Sequence, residues 1–84
     1  MITKKNFLMK LKNTLSNYIS MPVAETTIRD MNSQRLGEKK DSSPLSEQEI
    51  DESLITIFSR ISFVKGDLAA ESFVSEFNNW RYGK

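Results

Sequence analysis

The side chains best equipped for chemistry are the carboxylates of Glu47, Glu49, Asp51 and Glu52, packed into one short stretch. Clustered carboxylates hold hard cations or act as general acids and bases. Residues 41–52 begin and end with an acid, as a twelve-residue calcium loop does. However, Leu45 stands where the fifth position needs an oxygen ligand and Ser46 where the sixth needs glycine. The loop does not fit. The rest of the chain supplies no reactive set either. It has no histidine and no cysteine, so imidazole acid–base catalysis, thiolate nucleophiles and the common zinc ligands are all missing. Three scattered glycines form no G-x-G-x-x-G or P-loop that would cradle a phosphate. The expectation is a protein that is not an enzyme and has neither a metal nor another cofactor.

A helix start accounts for the acids without an ion. Ser46 is placed as N-cap with Glu49 three residues on, the spacing of a capping box, and Leu45 and Ile50 have the spacing of a hydrophobic staple. Negative charge on the first turns suits the positive end of the helix dipole. Ile50, Leu54, Ile57, Phe58 and Ile61 then recur on one face of a 3.6-residue period. The spacing predicts a helix over 46–62, stopped at Gly66.

Three further segments follow the same period. Residues 3–19 carry Phe7, Leu8, Leu11, Leu15, Tyr18 and Ile19 on one side, with Thr3 as N-cap. Lysines border that stripe, which suits a buried face with snorkelling edges better than a helix lying on an acidic membrane. Pro22 opens a weaker helix over 22–36 that ends at Gly37. Asp67 is placed as N-cap of a helix over 67–81, with Ala70, Phe73, Val74, Phe77 and Trp80 on its apolar face. Residues 38–44, EKKDSSP, form a polar, mobile connector. The fold class is all-α, a small bundle of three to four short helices in a single domain covering 1–84.

Composition sets the outer bounds. The apolar share of 38% and charged share of 27% suit a globular chain rather than a disordered one. No apolar run approaches the length of a membrane span, and the lysine-bearing N-terminus lacks a signal-peptide core. With no cysteine, a cytoplasmic location is expected. Charge is unevenly spread: residues 1–40 hold a balance of +5 and residues 41–84 a balance of −4. The two halves therefore face each other, or a basic end is offered to an acidic partner.

Two function classes remain. The favoured one is a helical adaptor or regulator that binds a protein partner, with a homodimer as one form of it. Met9 and Ile55 sit off their helix stripes and Trp80 and Tyr82 lie near a terminus, and these residue types are favoured at interface cores. The rival is a transcription-associated regulator that touches DNA through the basic half, with Lys4, Lys5, Lys10, Lys12, Arg29 and Arg35 as the contacting cations. Residues 16–35 can be arranged as a helix-turn-helix, although Glu25 and Asp30 would sit on the reading helix.

Two short segments add a resemblance. Residues 2–12, ITKKNFLMKLK, look like the opening of the Hha/YmoA family of small enterobacterial nucleoid modulators, and residues 44–50, PLSEQEI, are similar to the start of that family's long third helix. The resemblance implies a small all-helical regulator that acts by joining a DNA-binding nucleoid protein. The gap between the two segments is longer here, and the residues after Gly66 do not continue the family pattern. No functional residue carries over.

Overall fold

In the computed structural model, which describes residues 1–83, the chain folds into four α-helices: α1 (Lys4–Leu15), α2 (Met21–Met31), α3 (Glu47–Lys65) and α4 (Asp67–Arg81). A π-helical turn, Asn32–Leu36, continues α2. The all-α expectation holds, and the described residues contain no strand beyond one isolated antiparallel bridge, Thr3 to Pro44.

α3 is the central element. It packs most extensively on α4, which folds back along it, and also meets α2 and the π turn, while α1 lies across α2 and α4. Phe7, Leu11, Leu15, Met31, Ile57, Ile61, Phe73 and Phe77 are fully buried. Each large apolar side chain removed from water in this way contributes roughly 1.5–3 kcal/mol before chain entropy is counted. Phe7 and Phe77 meet edge to face with centroids 5.4 Å apart, joining α1 to α4.

The caps explain where the helices begin. Thr3 accepts from the Asn6 amide at α1. At α3 the expected capping box is complete: the Ser46 hydroxyl accepts from the Glu49 amide at 3.1 Å, and the Ser46 amide donates to the Glu49 carboxylate at 2.8 Å. Leu45 and Ile50, the staple pair, are both buried.

Five expectations need correction. α1 ends at Leu15 rather than at residue 19, because the amides of Asn17 and Tyr18 tighten to the carbonyls of Thr14 and Leu15, three residues back. Ile19 is still buried beyond the end of the helix. The segment 22–36 is not one α-helix. Its last turn widens, with Gly37 N donating to Asn32 O at 2.6 Å, so that Met31 and Leu36, five residues apart, both reach the core. α3 runs on past 62 to Lys65, up to the expected stop at Gly66, and Gly66 rather than Asp67 is the N-cap of α4. Asp67 instead accepts from the Ser62 hydroxyl across the junction.

The connector is the fifth. It is exposed at Glu38, Lys40, Asp41 and Ser42, yet it is fastened to α1 rather than free. Lys4 N donates to Ser43 O at 2.9 Å, Lys5 N to Asp41 O at 3.0 Å, and Leu45 N to Ile2 O at 2.8 Å. The first amides of a helix have no partner within it, and here the connector carbonyls supply one.

Candidate interaction surface

Among the exposed large apolar side chains, Ile55, Phe63, Val64 and Leu68 lie on α3 and the corner that follows it, whereas Met1, Met9, Met21, Trp80 and Tyr82 lie elsewhere. Along α3, the core face is Ile50, Leu54, Ile57 and Ile61, all buried. Turning away from that face gives Ile55, Ser59 and Phe63, spaced by one helical turn each and exposed to solvent. Ile55 is 64% exposed and Phe63 89%. Val64 and Leu68 (80% exposed) extend this apolar surface over the α3–α4 corner. Ile55, Phe63 and Leu68 are thus left largely in water at this end of the molecule.

Two grooves flank the α3 ridge. One, between α3 and α4, is about 370 Å³ and is lined by Leu54, Ile55, Phe58, Ser59 and Val74, with the Asp51–Arg81 ion pair (2.7 Å) closing one end. The other, between α2 and α3, is about 450 Å³ and is lined by Val23, Thr56, Ser59, Phe63 and Val64, with Asp30 and Arg60 (3.6 Å apart) at its rim. Ser59 belongs to both, so it sits on the crest between them.

The four residues expected at a partner interface are not brought together. Ile55 is on the α3 ridge. Met9 is 55% exposed but lies in a separate groove between α1 and α2, beside Leu8 and Ile28. Trp80 is only 37% exposed: its ring packs on Phe77 at 5.3 Å and the Lys10 ammonium lies 5.9 Å from it, so it closes the end of the core. Tyr82 is stacked by Arg81 at 4.9 Å, near Ile2 and Leu45. Phe63, Val64 and Leu68, exposed on α3 and its corner, were not among the expected residues. Phe63 is eight residues from Ile55, the same face of a helix, but only if the helix continues past 62.

The basic residues are dispersed as well. Lys4 is the clearest departure: it is buried, and its ammonium donates to Lys39 O at 2.7 Å and Gly37 O at 3.4 Å, so it faces the connector and not a phosphate. Arg35 donates to the Thr56 hydroxyl, Lys10 lies over Trp80, and Lys12 is 4.0 Å from Glu25. Arg29 shares the α1–α2 groove with Lys12 and Glu25 and lies 3.8 Å from Asp30. Lys5 remains exposed. Among the described residues Lys39–Glu49 (3.1 Å) and Arg60–Asp30 join the two halves of the chain, and only the first sets a base of the basic half on an acid of the acidic half.

Among the described residues no three histidine, cysteine, aspartate or glutamate side chains are placed to hold a metal ion. Two pKa values are displaced, both for structural reasons. The Glu49 carboxyl is held below the ordinary carboxylate range, chiefly by the hydrogen bond from the Ser46 amide, with the Ser46 hydroxyl and Lys39 adding to it against a burial effect of opposite sign. Burial, then the neighbouring Glu76, pushes the Tyr18 phenol up. No helix among the described residues is long and apolar enough to cross a membrane.

No protein-family model, curated protein or solved structure matches the chain. The similarity to the Hha/YmoA modulators therefore rests on its two short segments alone.

Proposed function

We propose that this protein is a small non-enzymatic adaptor or regulator that works by binding a protein partner through the outer face of α3 and the α3–α4 corner. The observation that carries this reading is the exposure of Ile55, Phe63 and Leu68 on one stretch of an otherwise well-packed bundle. Buried, such side chains would anchor an interface core, and the Asp51–Arg81 and Asp30–Arg60 pairs would form part of its polar rim. The test is capture of partners from the native cell with the wild type and with Phe63→Glu. Because Phe63 is outside the core, the variant keeps its helicity and melting temperature but loses the captured protein. A variant that captures the same protein as the wild type counts against this face.

The second reading is a regulator acting on DNA, directly or through a nucleoid protein. Lys12 and Arg29 on one α1–α2 groove favour it, and Glu25 in the same groove opposes it. Duplex binding that weakens steeply with salt and is lost in Lys5→Ala, Lys12→Ala and Arg29→Ala variants would support it. No binding at low salt would remove it.

A further inference from the structure

A groove away from the α3 face combines apolar surface with an excess of positive charge. It lies between α1 and α2, holds about 400 Å³ and begins at the Lys12–Glu25 pair (4.0 Å). From there it runs past Leu8 and Met9 on the α1 wall and Ile28 and Arg29 on the α2 wall. Leu8 and Ile28 are half-buried against the core and form its floor, while Met9 is 55% exposed along the edge. A methionine side chain is unbranched and polarisable, and it adapts to apolar partners of varied shape.

The charges around this floor are unequal. Lys5, Met9 and Lys12 are spaced by four and three residues, so they share one edge of α1, and Arg29 stands on the opposite wall. Among the described residues Glu25 is the one acid lining the groove, and it faces Lys12. Lys5 takes part in no ion pair among them, and Arg29 shares Asp30 (3.8 Å) with Arg60 (3.6 Å). Lys5 and Arg29, both exposed, therefore leave positive charge unmatched on each side of an apolar trough.

We infer that this groove docks an acidic amphipathic helix of a protein partner, with its apolar stripe over Leu8, Met9 and Ile28 and its carboxylates beside Lys5 and Arg29. A helix laid in a groove anchors through apolar residues three and four positions apart. Carboxylates on both flanks of that stripe meet a cation on each wall, which steers the encounter and fixes the register. A nucleic-acid duplex offers phosphates to the cations but nothing apolar to the floor or to Met9. The inference uses no residue of the α3 face and stands independently of it.

Fluorescence anisotropy of a labelled peptide added to the full chain reads the result. The probe is a helical peptide of about 18 residues, with a leucine stripe flanked by glutamates. It binds the wild type, and Lys5→Glu and Arg29→Glu each weaken binding by about tenfold. Met9→Asn, which removes apolar contact and no charge, weakens it too, and a peptide with alanine in place of leucine does not bind. Lys10→Glu changes the net charge as much as Lys5→Glu does, but Lys10 lies over Trp80, so this variant binds as the wild type does. Phe63→Glu also binds as the wild type does. Circular dichroism checks that each variant keeps its helices. No binding at low salt overturns the inference. So does binding that falls equally in Lys10→Glu, the response of non-specific charge attraction, or that is lost in Phe63→Glu, which places the peptide on α3. Duplex DNA bound in place of the peptide and indifferent to Met9→Asn overturns it as well, in favour of the nucleic-acid reading.

Discussion

Thr14 is 2% exposed and its hydroxyl has no hydrogen-bond partner. A hydroxyl buried without a partner loses its hydration and regains nothing, whereas a methyl group in the same space has nothing to lose. Thr14→Val should therefore raise the unfolding free energy by about 1 kcal/mol, measured by urea denaturation, with no change in helicity. Ser46 and Lys4 mark how far single residues can be read from the chain alone. The role of Ser46 is local, set by Glu49 three positions on, and its cap was legible. Lys4 was grouped with the cations of the basic half, yet its acceptors lie 33 and 35 residues away. A hydrogen bond of that span leaves no trace in local spacing.

At the next scale, the capping box ties α3 to pH. Glu49 titrates lower in the folded protein than in the unfolded chain, so its ionised form stabilises the fold. That contribution is present above the ordinary carboxylate range and is lost as pH falls through the lowered folded value. Denaturation midpoints of the wild type should fall across this acid window more steeply than those of Glu49→Gln, which has no charge to lose. The α3–α4 junction makes a second demand. Gly66 has φ 93° and ψ 168°, a region closed to side-chain-bearing residues even though a Cβ there would meet no neighbour. Gly66→Ala should cost about 1–3 kcal/mol by thermal or urea denaturation. The α3 and α4 helices were legible because their periods are strong and their ends carry glycine or a serine cap. The ends of α1 and α2 were not, because a tightened turn and a widened turn both keep their apolar residues in the core while departing from the 3.6-residue period. Phe63 was missed for a different reason: α3 stays α-helical for three residues past 62, beyond Ile61, the last core residue that marked its period.

Taken whole, the chain has a radius of gyration of 11.8 Å, the value of a fully compacted domain of about this length. Compaction leaves the α3 ridge outside while α4, α2 and the π turn cover its other sides. That arrangement depends on tertiary packing, so the sequence pointed to Ile55 alone and spread the remaining interface residues over Met9, Trp80 and Tyr82. The connection between the start of the chain and its middle belongs to this scale too. Residues 2–5 and 37–45 are held together by three backbone hydrogen bonds and the Lys4 ammonium. The amides of Lys4, Lys5 and Leu45 close this seam from both sides. In hydrogen exchange they should open as one cooperative unit with a single protection factor. Lys4→Met, which removes the ammonium and keeps the stem, should lower the protection of all three together, by about 1–3 kcal/mol in opening free energy, while the amides of α4 keep theirs. Fraying of the first helix and release of the connector are then a single event, and the N-terminus of α3, which begins one residue beyond Leu45 at its cap, is exposed to solvent on the same clock.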